Sequence, residues 1–197
     1  MTTAADGIHS NPAIGVQQAL TLPQAELFAL WRTLPAPDLA ELEGEYTGYT
    51  PVLHATDEEI DGLTELLYRD GSSRGVWLGK AYQTGDGSTG EGYNVFRVSA
   101  DGVGAHGYVR RARFATSIDE SLIDGRPSLM MRYAAFDNNS ARTDLVDEVR
   151  RYSHGFYLGT ATTVLPDGTR TQPDGCFLLA GPFNPWTGVD DPALELR

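Results

Sequence analysis

Tyrosine and arginine side chains interrupt several apolar stretches of this chain, and they are the residues best suited to act on a bound small molecule. Phenol hydroxyls and a guanidinium can polarise a carbonyl or stabilise a developing oxyanion. We take as candidate catalytic residues Tyr49, Arg132, Tyr133 and Tyr157. Because orienting a substrate can by itself lower a reaction barrier, this set predicts a cofactor-independent cyclase or isomerase. Arg132 has an alternative interpretation, in which it points outward into solvent.

A second set of large side chains is suited to bind a ligand by direct contact. It comprises Tyr46, Trp77, Lys80, Met131, Phe156 and Trp186. The chain has three tryptophans, nine tyrosines and seven phenylalanines, enough to line a cavity for one hydrophobic or amphipathic molecule. If the polar side chains do not converge, the same cavity would suit a non-catalytic carrier. A third alternative is an interaction protein that assembles through the aromatic residues near its C-terminus.

Other reaction chemistries find little support in the sequence. The four histidines lack the spacing of metal ligands. The glycine-rich stretch 85–92 has no lysine of a phosphate-binding loop and no predicted helix after it. The single cysteine, Cys176, has no basic neighbour in sequence that would activate its thiol. We therefore predict neither a metal site nor a cofactor.

The charge balance excludes several classes of partner. The chain has 197 residues, of which 15 are Lys or Arg and 27 are Asp or Glu, so its formal net charge is −12. Nucleic acids and anionic membranes attract basic proteins, and we predict binding to neither. The remaining partner is a hydrophobic small molecule, and a homodimer is compatible with the sequence. The arginines at 110, 111 and 113 are expected to pair at the surface with acidic residues such as Asp147 and Glu148.

Cysteine usage and the N-terminal residues indicate the compartment. One cysteine allows no disulfide within the chain, which is typical of a reducing environment. Residues 1–11 have neither the basic start nor the apolar core of a signal peptide, and we predict that they form a disordered leader. No apolar run approaches the roughly 20 residues of a membrane-spanning helix. Together these features predict a cytoplasmic protein.

Two helices and about eight strands must position these residues. Apolar residues spaced three and four apart predict helices near 22–34 and 57–69. Stretches rich in β-branched and aromatic residues predict the strands, which cover about 43–53, 74–82, 91–99, 106–118, 127–135, 146–153, 155–164 and 175–183. Short turns with Asp-Gly pairs separate several of them, which favours antiparallel hairpins.

The strand pattern predicts the architecture. Both faces of stretches 127–135 and 155–164 are partly apolar, as expected when one face lines a cavity and helices cover the other. We therefore predict a mainly β fold, an antiparallel up-and-down, lipocalin-like β-barrel of about eight strands with two short helices near the N-terminus. A β-sandwich is the alternative. In this interpretation residues 12–183 form a single barrel domain, and residues 184–197 form a C-terminal arm.

Two short motifs resemble a known bacterial family. Residues 42–48, LEGEYTG, are similar to the L-x-G-x-W-x-G opening of the GXWXG-domain proteins, with Tyr46 in place of the tryptophan. Residues 77–82, WLGKAY, resemble the W-x-G-K-x-[FY] segment of the same proteins. The similarity covers residues 25–82, and it implies a calycin-like barrel but no established activity. Independently of the family, an aromatic side chain between two glycines of one strand can plug one end of a barrel.

Overall fold

A computed structural model describes residues 12–68, 75–85, 87–99, 106–138, 144–171, 173 and 175–190. Three α-helices lie in this part of the chain: α1 (Pro12–Ala19), α2 (Gln24–Trp31) and α3 (Asp57–Leu63). A π-helical turn over Thr64–Tyr68 continues α3. Short 3-10 turns cover Leu39–Glu41 and Tyr133–Ala135. The predicted leader, residues 1–11, lies outside the described residues.

The dominant element is a closed antiparallel barrel of eight strands. The strands are β1 (Gly44–Tyr49), β2 (Val76–Thr84), β3 (Thr89–Ser99), β4 (His106–Glu120), β5 (Pro127–Arg132), β6 (Leu145–Ser153), β7 (Phe156–Thr163) and β8 (Cys176–Asn184). Each strand pairs with its neighbours in sequence, and β8 closes the barrel against β1. The predicted up-and-down barrel is therefore confirmed, and the alternative of a β-sandwich is wrong.

One end of the barrel is filled by tyrosine rings. Tyr46 is buried, and its ring makes edge-to-face contacts with Tyr82 and Tyr157, with centroids 5.6 Å apart in each pair. Tyr46 lies between Gly44 and Gly48 on β1 and forms the plug that this spacing predicts. Burial raises the pKa of Tyr46 and of Tyr82 above the ordinary value of a phenol. Their hydroxyls therefore stay protonated, and the plug carries no charge.

Glycines on the inner wall make room for aromatic rings from neighbouring strands. A Cβ atom on Gly48 would overlap the ring of Trp77, and one on Gly159 would overlap the ring of Phe177. Each ring therefore lies over the backbone of the adjacent strand. Because these rings pack flat against the wall, they occupy less of the barrel centre than they would if they pointed toward its axis.

Helices α1 and α2 cover the outer face of β7 and β8. Leu27 and Trp31 of α2 are fully buried, in a cluster that includes Phe156 and Leu158 of β7. The residue between these two, Tyr157, belongs to the cluster inside the barrel. Both faces of β7 are therefore apolar because one faces the interior and the other faces the helices, as the strand pattern predicts.

The helices differ from the predicted ones in number and length. α2 is shorter than the predicted 22–34, and the predicted helix 57–69 is divided between α3 and the π-helical turn. α1 has no counterpart in the sequence prediction, since Gly15 in its middle is a poor helix former. Its formation is explained by burial of Val16 and Ala19 against the barrel, a tertiary contact that local patterns do not report.

A β-bulge in β4 suggests a stabilising substitution. The register shifts opposite β3, and Ala112 there has a φ of 58°, a left-handed conformation that costs an L-residue roughly 1–2 kcal/mol. Glycine adopts this conformation without a Cβ clash. We expect Ala112→Gly to raise the free energy of unfolding in urea by about 0.5–1 kcal/mol. The matched change Ala115→Gly, in extended backbone of the same strand, should lower it, and equal losses for both variants would contradict the argument.

Buried Glu148 on the outer face of β6 predicts a pH-dependent effect. Its Oε1 accepts a hydrogen bond from the Leu122 amide at 3.0 Å, and among the described residues its Oε2 has no partner. Burial raises the pKa of this carboxyl above its ordinary value of 4.5. The folded state therefore holds the proton more tightly than the unfolded state, and the cost of ionisation grows as the pH rises above 4.5.

We expect Glu148→Gln to be more stable than the wild type at pH 7, because the amide keeps an acceptor for Leu122 without a buried charge. The difference should shrink as the pH falls through the raised pKa of the folded state toward 4.5, and it should vanish below 4.5, where both side chains are neutral. Denaturant unfolding between pH 4 and pH 8 measures it. Glu120→Gln, at an exposed position of β4, is the control and should change little. A variant less stable than the wild type at pH 7 would overturn the prediction.

Candidate functional site

The barrel encloses a cavity of about 590 Å³, which lies at the end opposite the tyrosine plug. This volume falls within the roughly 300–1,000 Å³ that small-molecule sites occupy. Much of its wall is apolar, with contributions from Trp77, Phe96, Ala112, Tyr133, Leu145, Ala161 and Phe177. One molecule of moderate size therefore fits inside the barrel.

Helix α3 and the π-helical turn that follows it lie at the mouth of the cavity. Leu63 and Leu67 line the cavity from this side, together with Glu59 and Gly62. α3 begins with a capping box, in which Thr56 and Glu59 exchange hydrogen bonds, and none of its residues is buried. α3 itself therefore contributes little to the core, whereas Leu67 of the turn packs against the core cluster inside the barrel.

A buried polar network lies at the inner end of the cavity. Lys80 Nζ forms an ion pair with Asp147 Oδ2 at 2.8 Å, and it donates hydrogen bonds to Tyr133 Oη at 2.6 Å and Asn94 Oδ1 at 2.9 Å. The Tyr133 hydroxyl donates in turn to Asp147 Oδ2 at 2.9 Å. Asn94 Nδ2 donates to Tyr133 Oη at 3.1 Å. The four side chains therefore form one continuous hydrogen-bonded group.

Strand register explains why these side chains meet. Lys80 on β2 and Asn94 on β3 are direct partners in the sheet. Asp147 on β6 is the partner of Met131 on β5, and Tyr133 follows Met131 by two residues, so it points to the same face. β2 and β6 lie four strands apart in a barrel of eight. The long side chain of Lys80 thus crosses the interior and forms the floor of the cavity.

The charges in this network balance each other. The exposed fraction is 4% for Lys80 and 3% for Asp147, so neither charge is stabilised by bulk water. Four aromatic rings surround the ammonium, with centroids 5.3–5.8 Å away, and their negative faces stabilise it further: Trp77, Phe114, Tyr133 and Phe177. Burial, with the nearby Asp147 charge, raises the pKa of Tyr133 well above that of a free phenol. Tyr133 is therefore a neutral hydrogen-bond donor.

The structure brings some of the predicted site residues to the cavity. Trp77, Lys80 and Tyr133 line it. Three others point into the barrel but belong to its closed half, where they are buried: Tyr46, Met131 and Tyr157. Among the described residues the Tyr157 hydroxyl has no hydrogen-bond partner. These three residues pack beneath the polar network that forms the floor, and they do not line the cavity.

Four predicted site residues lie outside the barrel interior, which corrects their assignment to the cavity. Tyr49 and Phe156 contribute to the outer cluster beneath α2. Arg132 points outward and pairs with Asp119 at 2.9 Å, as its alternative interpretation holds. Trp186, in the C-terminal arm, packs on the outer face of the barrel. The physical reason is that neighbouring residues of a strand point to opposite faces, and apolar residues occupy both faces here.

Asn94 and Asp147 are site residues that the sequence analysis did not identify. Asp147 is not a surface partner of the arginine cluster, since the described ion pairs of Arg110 and Arg113 are made with other carboxylates. The available signal was alternation: Asp147 lies between Leu145 and Val149 on one face of β6. A charged residue in an otherwise apolar face indicates a buried partner, because an unpaired charge is costly inside a protein.

Two further observations concern the described part of the chain as a whole. None of its helices combines the length and the apolar character needed to cross a membrane. Within the same residues, no three His, Cys, Asp or Glu side chains are grouped so that they could hold a metal ion.

The chain that forms this site has no recognisable relative among the known proteins with which it was compared. Family models, curated proteins and solved structures gave no match.

Proposed function

We propose that this protein binds one hydrophobic or amphipathic small molecule inside the barrel. The observation that carries the proposal is a cavity of about 590 Å³ whose largely apolar wall ends on a buried polar network. Small-molecule sites typically combine a largely apolar wall with a few convergent polar groups, as this cavity does. A ligand in the cavity would bury its apolar surface away from water, and the polar network would orient it.

A fluorescence titration with N-phenyl-1-naphthylamine tests this proposal. The dye is apolar, and its emission rises when it leaves water. We expect saturable binding of one dye per chain, and displacement of the dye by other apolar molecules of similar size. Loss of the signal on unfolding in urea provides the control. A folded protein that gives no saturable signal with this dye or with competitors would contradict the proposal.

A cofactor-free cyclase or isomerase is the second candidate function, and the network favours it. A carboxylate, an ammonium and a phenol lie at one level of the cavity. In an isomerisation, Asp147 would take a proton from one atom of the substrate and return it to another, while Tyr133 and Lys80 stabilised the charge that develops. A non-catalytic carrier remains the alternative. Mass spectrometry of molecules bound to the purified protein, before and after incubation, distinguishes a changed ligand from an unchanged one.

The remaining expectations stay predictions. Membership of the GXWXG-domain family, a lipocalin-like mode of ligand binding, a bacterial origin, a cytoplasmic location and a homodimer are proposals drawn from the sequence. Purified protein analysed by size-exclusion chromatography with light scattering would decide the oligomeric state.

A further inference from the structure

We infer that the polar group recognised at the floor of the cavity is a hydrogen-bond donor of the ligand, such as a hydroxyl, an amide N–H or an amine, and not a carboxylate. This inference rests on the proposed binding function. It follows from a count of the donors and acceptors that the network still has to offer.

The donors of the network are already used within the protein. Lys80 has three N–H groups, and they have three partners: Asp147, Tyr133 and Asn94. The single hydroxyl proton of Tyr133 goes to Asp147. Both N–H groups of the Asn94 amide are engaged, one with Tyr133 and one with the carbonyl oxygen of Ala112. A ligand acceptor would have to displace one of these bonds.

Two other side-chain donors that line the cavity, those of Trp77 and Gln24, are committed as well. Trp77 Nε1 donates to Asn94 Oδ1 at 3.0 Å. At the rim, Gln24 Nε2 donates to the carbonyl oxygens of Pro51 at 2.9 Å and Cys176 at 3.4 Å. These side chains are engaged before any ligand arrives.

One acceptor remains. Asp147 Oδ2 receives bonds from Lys80 and Tyr133, whereas Oδ1 makes no hydrogen bond with the residues that the structure describes. Only 3% of the Asp147 surface is exposed to solvent, and the residue lines the cavity. Its partner on β7 is Ala161, whose small side chain leaves space beside the carboxylate. A ligand donor placed there would satisfy the free oxygen without breaking any existing bond.

Charge points to the same class of ligand. An anionic ligand would bring a second carboxylate close to Asp147, and like charges in a buried site repel strongly. The mouth adds to this effect, because α3 carries Asp57, Glu58 and Glu59 in its first turn and Glu59 lines the cavity. Neutral and cationic donors enter this field without such a penalty.

Three rigid probes of nearly equal size test the inference: 4-phenylphenol, 4-methoxybiphenyl and biphenyl-4-carboxylate. Their affinities are measured by calorimetry at pH 7 on the full chain. We expect 4-phenylphenol to bind at least about tenfold more tightly than 4-methoxybiphenyl, since a hydrogen bond to a charged acceptor has that worth. We expect the carboxylate to bind most weakly. A carboxylate that binds most tightly, or a phenol that gains nothing over its methyl ether, would overturn the inference.

The double variant Lys80→Met/Asp147→Leu provides the matched control. In this variant the affinity of 4-phenylphenol relative to that of 4-methoxybiphenyl is the quantity compared, and the advantage of the phenol should fall to within about twofold. An advantage that survives in the folded variant would show that Asp147 does not recognise the donor. If none of the three probes binds the wild type, the proposed binding function itself fails; if all bind but rank differently, only this inference fails.

Discussion

Asp147→Asn is expected to lower the free energy of unfolding by about 3–5 kcal/mol, the largest effect that the structure predicts for a conservative substitution. The change leaves the Lys80 ammonium buried with no opposite charge within the barrel floor, and breaking a buried ion pair from one side has a cost of that order. The aromatic rings around Lys80 soften the loss but do not replace a carboxylate. Equilibrium unfolding in urea, followed by tryptophan fluorescence, measures the difference.

Two variants make this test specific. Lys80→Met/Asp147→Leu removes both charges at once, and apolar replacements of a buried pair are often neutral or stabilising, so it should be far more stable than the single variant. Asp119→Asn removes a carboxylate from the exposed ion pair with Arg132, and its cost should stay within about 1 kcal/mol. If Asp147→Asn were no more costly than Asp119→Asn, the network would not be the buried charge pair described here.

Ala161→Phe is expected to reduce the affinity for N-phenyl-1-naphthylamine by at least about 100-fold, where each tenfold step is 1.4 kcal/mol. Ala161 lies on the inner face of β7, lines the cavity and is the sheet partner of Asp147. A phenyl ring at this position would take up the space beside the network, where the ligand should lie. Because that space is open, the ring should not overpack the core, and the variant should fold.

The matched control is Ala134→Phe, the same chemical change at an exposed position of the 3-10 turn after β5. It should leave the affinity unchanged within about twofold, since the ring stays in solvent. Urea unfolding of both variants shows whether they are folded. A dye affinity that is the same in Ala161→Phe and the wild type would mean that the dye binds elsewhere.

The fold could be predicted because its signals are local. Turn residues and alternating apolar residues placed most strand ends within a few residues of the observed ones; the predicted stretch 106–118 corresponds to β4, which ends at Glu120. Closure followed from strand number and from apolar residues on both faces, as in β7. α1 escaped prediction because it depends on contacts with distant strands and not on its own sequence.

The site was harder to predict, for a physical reason that particular residues illustrate. Tyr49 and Tyr157 look alike in sequence, yet Tyr49 lies outside the barrel and Tyr157 lies inside. When both faces of a strand are apolar, alternation cannot tell which face is the inner one. The pairing of Lys80 with Asp147 depends on β2 and β6 facing each other across the closed barrel. Such a contact follows only from the three-dimensional arrangement.

The tyrosine plug determines how a small molecule could enter and leave the barrel. Tyr46 and Tyr157 fill one end of the barrel. Within the described residues, the cavity therefore opens at its other end only, and a bound ligand would have to enter and leave through the same opening. Under the proposed function, the group of the ligand that contacts Asp147 would enter first and leave last. In an enzyme, the product would block the single opening to the next substrate molecule. Product release, and not the chemical step, would then limit the turnover rate. In a carrier, the ligand would leave beside the acidic first turn of α3.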